Sequence, residues 1–203
     1  MEYLTIKDIF ENEIIVNKSR FISFLYPCSS KEEVTKILND LHQKYADATH
    51  ICYAYIIFDN NQVIYKCDDN GEPASTAGMP ILNILKKNEI INIICVVIRY
   101  FGGIKLGAGG LIRTYGKSAS EVLKKAKIVK YQSYYQYDLT FNYSNLKLLE
   151  KIIQNLNGKI QKKNFLEMVT YQVAFINKDD VEILYTKLNG CLKYNYLNEI
   201  YLE

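Results

Sequence analysis

Ile93-Ile94-Cys95-Val96-Val97-Ile98-Arg99-Tyr100-Phe101-Gly102-Gly103-Ile104-Lys105-Leu106-Gly107-Ala108-Gly109-Gly110-Leu111-Ile112-Arg113 passes from an unbroken apolar run, through a glycine-rich loop, into an amphipathic segment. Residues 92–99 read as a buried strand and residues 101–110 as the loop. A helix follows from Gly109 to about Lys127, because Leu111, Tyr115, Ala119, Val122 and Ala126 fall on one face at 100° per residue. Arg113, Lys117, Ser120, Lys124 and Lys127 fall on the opposite face. A strand feeding a glycine loop and then a helix is an α/β unit, and the backbone amides of such a loop suit an anion. The loop lacks the lysine and Ser/Thr of a phosphate-binding Walker loop, and Gly107-x-Gly109 lacks the third glycine of a dinucleotide fingerprint. Tight packing of loop on sheet needs glycine equally well, but Arg99, Lys105 and Arg113 favour an anion site over packing alone.

Upstream, residues 14–26 read as one or two strands ended by Pro27. Ser29 or Ser30 with Glu32 or Glu33 forms a capping box for a helix carrying Val34, Ile37, Leu38 and Leu41. Residues 51–58 and 62–67 read as a hairpin turning at Asp59-Asn60-Asn61. Asp68 to Gly78 reads as irregular, with a short helix from Thr76 to about Lys87. Downstream of Lys130 glycine nearly vanishes. A strand is expected at 134–141, a helix capped by Ser144 at 144–157, and strands at 159–165 and 168–176 with a tight turn between them. A helix from about Asp179 ending at Gly190 and a strand at 194–202 complete the chain. That order, βαββαβ, is the ferredoxin-like split βαβ. The expected architecture is therefore α+β in two domains, residues 1–130 and 131–203.

The 203 residues hold 49% apolar and 23% charged side chains, which excludes disorder and coiled-coil classes. No apolar signal core opens the chain, and the longest apolar run is far short of the ~20 residues that span a bilayer. A cytoplasmic protein with no membrane association is expected. The five cysteines show no ligand spacing, so neither a metal nor a cofactor is expected. Residues 1–130 carry 17 Lys/Arg against 14 Asp/Glu, whereas residues 131–203 carry 8 of each. The excess lies late. Lys86 to Lys130 holds ten basic residues against Glu89 and Glu121, a local field that attracts polyanions.

Asp68-Asp69-Asn70-Gly71-Glu72-Pro73 places three carboxylates before a helix start. Either they do acid/base or metal chemistry, or they form a rigid turn whose acids pair with Arg99, Arg113 or Lys105. His42 falls on a polar helix face. His50 precedes a strand and is either a base or a structural histidine. No nucleophile motif is present, and no catalytic residue is assigned. The tyrosines after residue 130 lack the pattern of an RNA-stacking sheet and read as core and edge residues.

Gly71-Glu72-Pro73, Thr76-Ala77-Gly78, Pro80-Ile81-Leu82 and the block from Arg99 to Lys117 resemble the YigZ/IMPACT family, as does Ala48-Thr49-His50 with Cys52-Tyr53-Ala54. The chain departs from the family pattern at Asn70, at Ala74-Ser75 and at Met79. The resemblance implies an N-terminal α/β domain similar to ribosomal-protein and elongation-factor domains, followed by a ferredoxin-like domain. It also implies a role in translation, since eukaryotic relatives regulate it in starvation by competing for the activator of an initiation-factor kinase. For bacterial members it implies nucleic-acid or ribosome binding. The expected partner is thus RNA, the ribosome or a translation-factor protein, met by Arg99, Lys105, Gly107, Gly109, Gly110, Arg113, Lys117 and Lys124. The alternative is a small-ligand protein or enzyme acting on a phosphorylated compound at the 99–113 loop, in a pocket with His50, Glu72 and Thr76. A regulator that meets an acidic protein with the same basic face is the third possibility.

Overall fold

The structure, a computed structural model, describes residues 2–59 and 62–203. They form two compact units, Tyr3–Lys130 and Tyr131–Glu203, the second counted together with Glu2.

The first unit is built around β6 (Ile93–Tyr100). From Ile93 to Ile98 every residue of this strand is buried, because helices cover both faces of its sheet. The sheet runs β2 (Phe10–Val16), β3 (Ser19–Pro27), β6, β4 (His50–Asp59), β5 (Gln62–Asp68), and each neighbouring pair is antiparallel. Ile93, Cys95 and Val97 point to α2 (Gly78–Lys87) and α3 (Gly107–Lys125), which supply Ile81, Leu85, Leu111, Tyr115, Ala119 and Val122 to that core. Ile94, Val96 and Ile98 point the other way, to Val34 and Leu41 of α1 (Lys31–Lys44). The two-residue period of a strand thus serves two cores at once. The cap of α1 is the expected one: Ser30 Oγ accepts from the Glu33 N–H, and the Glu33 carboxylate accepts from the Ser29 N–H at 2.7 Å.

Several local expectations are corrected. A strand absent from the sequence reading, β1 (Glu2–Ile6), bridges Leu4 to Ile90 and buries Ile6. It is short and flanked by charge, so it carries no periodic signal. Helix α2 starts at Gly78 rather than Thr76, and α3 starts two residues before Gly109. Of the proposed turn Asp59-Asn60-Asn61, Asn60 and Asn61 lie outside the described residues; the flanking strands pair Asp59 with Gln62.

In the second unit β7 (Ile128–Phe141), β8 (Lys159–Phe165), β9 (Val169–Phe175) and β10 (Leu192–Leu202) lie in the order β10-β7-β9-β8, all antiparallel. Helices α4 (Leu146–Asn155) and α5 (Asp180–Lys187) send Leu149, Ile152, Ile153, Val181 and Leu184 onto one face of the sheet. Two interleaved βαβ halves of this kind are the ferredoxin-like arrangement. Tyr137 and Tyr171 lie in its core, and Tyr194 and Tyr196 lie exposed on the edge strand β10. Ser144 does not cap α4. It sits in a 3₁₀ turn, Tyr143–Asn145, and α4 begins without a side-chain cap. Gly158 follows α4 for a packing reason: a Cβ there would meet Phe175 at 2.6 Å and Ile153 at 2.9 Å.

Candidate functional site

Four pieces of chain meet at one end of the first sheet: the start of β4, the 69–77 loop, the end of β6, and the 101–106 loop leading into α3. Asp69 shapes the 69–77 loop. Its carboxylate accepts from the N–H groups of Ser75, Ala77 and Gly78 at 2.7, 2.9 and 2.8 Å, so it fastens the loop and caps the start of α2. Asp68 accepts from the Asn70 N–H at 2.8 Å. Of the three acids only Glu72 turns inward, and its side chain is 3% exposed.

Glu72 Oε1 accepts from Arg99 Nη1 at 2.6 Å and from the Tyr115 hydroxyl at 2.7 Å. Burial pushes the Tyr115 phenol far above its ordinary range, and the neighbouring Cys52 and Glu72 add to it. Arg99 lies between the rings of Phe21 and Phe101, its guanidinium carbon 5.4 Å from each centroid. Its Nε has no hydrogen-bond partner among the described residues. Gly102 lets the loop cross β3: a Cβ at this position would lie 2.0 Å from the Lys18 backbone. The Gly102 N–H then donates to Ser19 Oγ, and the Phe101 N–H donates to Thr49 Oγ1.

His50 stands beside this pair. Its Nδ1 is 2.8 Å from the Asn70 carbonyl, which only accepts, so the proton sits on Nδ1. Nε2 then faces Glu72 Oε2 at 4.0 Å. Glu72 Oε2 accepts no hydrogen bond among the described residues.

The groups enclose a cleft of about 430 Å³ lined by Thr49, His50, Glu72, Pro73, Arg99 and Phe101 on one side and by Lys105, Leu106, Gly107, Ala108 and Leu111 on the other. Helix α3 starts in its wall with no side-chain cap, so the first N–H groups and the positive end of the helix dipole lie at the cleft.

The sequence-derived residues therefore separate. His50, Glu72, Arg99, Lys105 and Gly107 share the cleft. Thr76 is a correction: it is buried outside the cleft and donates to the Pro73 carbonyl at 2.6 Å, because it completes the turn that carries Glu72. Arg99 is also corrected as an anion site, because Glu72 neutralises it. Lys124 pairs with Glu121 at 2.8 Å. Gly109 and Gly110 lie in the first turn of α3 and do not line the cleft. Arg113 and Lys117 are exposed, and with Lys105 they make no ion pair among the described residues. Arg113 Nη1 lies 3.5 Å from where a Gly109 Cβ would stand, which folds the guanidinium back over the first turn of α3. The sequence reading missed Phe101, Leu106 and Tyr115 as parts of the site. Phe101 could have been found from its place in the glycine loop next to Arg99, whereas Tyr115 follows the apolar stripe of α3 and gives no sign of its bond to Glu72. Among the described residues no group of three or more His, Cys, Asp or Glu is placed to hold a metal ion, and no helix is long and apolar enough to cross a membrane.

A family model described as the Impact N-terminal domain matches residues 17–123. The IMPACT family member YvyE of Bacillus subtilis is 38% identical over 177 residues, covering 87% of this chain and 81% of that protein. The IMPACT family member YigZ of Escherichia coli is 33% identical over 161 residues, 78% of each. A solved structure titled as that of a hypothetical protein aligns over 97% of this chain and 98% of its own, with a TM-score of 0.65 and 28% identity.

Proposed function

Because the chain belongs to the IMPACT family, we propose that it is a non-enzymatic, translation-associated protein that binds RNA through the basic surface at the start of α3. One observation carries this: Lys105, Arg113 and Lys117 are exposed and make no ion pair among the described residues, and they follow one another from just before α3 to its middle. Three cations spaced along the first half of a helix, leading from its positive end, make a phosphate-tracking surface. The link to translation rests on the resemblance of residues 71–82 and 99–117 to the family.

Contacts of this kind release counterions, so the affinity for single-stranded RNA falls with salt, with a slope of about −2 for three phosphate contacts. Fluorescence anisotropy with an oligoribonucleotide from 50 to 300 mM salt measures it. The triple variant Lys105→Ala, Arg113→Ala, Lys117→Ala loses most of both the affinity and the slope. No binding at low salt, or binding unchanged in the triple variant, refutes the proposal. The reading as a small-ligand protein or enzyme is favoured by the single cleft that joins His50, Glu72, Arg99 and the glycine loop. Binding of a phosphorylated small molecule by a protein that ignores RNA is the result that selects it. An acidic protein partner is selected by a pull-down that survives nuclease treatment and is lost in the triple variant.

A further inference from the structure

Two acceptors and an anion cradle face each other across the cleft, and together they specify a ligand. Glu72 Oε2 belongs to a side chain that is 3% exposed and accepts nothing among the described residues. His50 Nε2 stands 4.0 Å away and, with the proton held on Nδ1 by the Asn70 carbonyl, offers a lone pair in the neutral ring. Neither acceptor satisfies the other. Both are met by a molecule with two adjacent hydroxyl donors.

The opposite wall holds Lys105 and the uncapped start of α3 at Gly107 and Ala108, which suit a phosphate. Between them lie apolar surfaces from Pro73, Leu106 and the ring of Phe101, which is 46% exposed and offers a face for a base. A volume of about 430 Å³ lies in the ordinary range for a small-molecule site.

We infer that the cleft holds the 3′-terminal nucleotide of an RNA. The free 2′,3′-diol donates to Glu72 Oε2 and His50 Nε2, and the phosphate of that nucleotide lies by Lys105 and the first turn of α3. This deepens the RNA-binding proposal and rests on it. Arg99 acts as a positioning residue, holding Glu72 through Oε1 so that Oε2 is presented to the cleft. The same carboxylate repels an RNA that ends in a 3′-phosphate. A 2′,3′-dideoxy end leaves both acceptors unsatisfied.

The test uses the full chain and one oligoribonucleotide labelled at its 5′ end and finished in three ways: free diol, 3′-phosphate and 2′,3′-dideoxy. Hydrogen bonds to a charged group predict that the free diol binds about tenfold tighter, or more, than either altered end. Overall affinity falls with salt, but the ratio between the diol and dideoxy ends persists at 300 mM because neither end is charged. Adenosine 5′-monophosphate displaces the free-ended RNA, and its 2′,3′-dideoxy analogue does so about tenfold less well. Equal affinity for the three ends overturns the inference and leaves the RNA-binding proposal standing. Failure to bind any of the three RNAs overturns both.

Discussion

Arg99 and Glu72 form a buried ion pair with side chains 6% and 3% exposed, and such a pair is costly to break from one side. Arg99→Met removes the cation and strands a carboxylate that keeps only the Tyr115 hydroxyl. Equilibrium urea unfolding is expected to show a loss of about 3–5 kcal/mol, and a loss under 1 kcal/mol would show that Glu72 takes up a proton or reaches water instead. Cysteine chemistry follows burial in the same way. Burial pushes the thiols of Cys28 and Cys52 up to about 12 and that of Cys95 higher still. Cys191 is exposed. At pH 8 a thiol reagent is expected to modify Cys191 first and to leave Cys28, Cys52 and Cys95 intact until the protein unfolds, which peptide mapping after timed labelling would show. At this scale the sequence exposed the ingredients. Glu72, His50 and Arg99 stood out as chemistry-bearing residues, and pairing of an acid with Arg99 was one of the two readings of that turn. That Glu72 was the acid, and that Thr76 was turned away, depended on a loop whose path is set by the hydrogen bonds of Asp69.

Among the elements, α2 depends most on a distant group. Its first residue, Gly78, and the preceding Ala77 and Ser75 donate to Asp69, and no side chain caps it locally. Asp69→Ala is expected to lower stability by about 1–2 kcal/mol. It should also weaken RNA binding, because the same loop carries Glu72 and holds His50 through the Asn70 carbonyl. Asp69→Asn keeps an acceptor and should recover part of the stability, as thermal melts of the two variants would show. In the second unit, Gly158→Ala forces a Cβ against Phe175 and Ile153, at an overpacking cost of about 1–3 kcal/mol. The cap of α1 and the apolar stripe of α3 were legible because their signals are local and periodic. Ser144 misled because the capping residue type was present, but the chain makes a 3₁₀ turn there first.

For the whole molecule the buried titratable groups set the pH range of stability. Tyr115, Cys28, Cys52 and Cys95 all have raised values in the folded protein. Their stabilisation is complete below the ordinary thiol and phenol values, 9.0 and 10.0, and is lost as pH rises beyond them, since the unfolded chain releases those protons first. Glu150 behaves oppositely: bonds from Lys163 and then Tyr171 hold its carboxyl below the ordinary 4.5. Its contribution is present above 4.5 and is lost as pH falls below it. The midpoint of thermal unfolding should therefore form a plateau from about pH 5 to 9 and drop on both sides. An alkaline limb unchanged by Tyr115→Phe would show that the phenol does not contribute.

Apart from β1, the order of strands and helices, the burial of β6 and the ferredoxin-like second unit were determined by the sequence itself, because hydrophobic period and turn chemistry act over a few residues at a time. So was the clustering of cations from Lys86 to Lys130. Only the tertiary structure decided which charges remain available. Arg99 is neutralised by Glu72, while Lys105, Arg113 and Lys117 make no ion pair among the described residues. It also decided that His50 and Glu72, 22 positions apart, offer two acceptors to the same cleft. The Lys124–Glu121 pair is local, three residues apart on one helix, but the pairing of Arg99 with Glu72 and the meeting of Glu72 with His50 depend on how β4, β6 and the 69–77 loop are brought together in space, and no spacing along the chain encodes that.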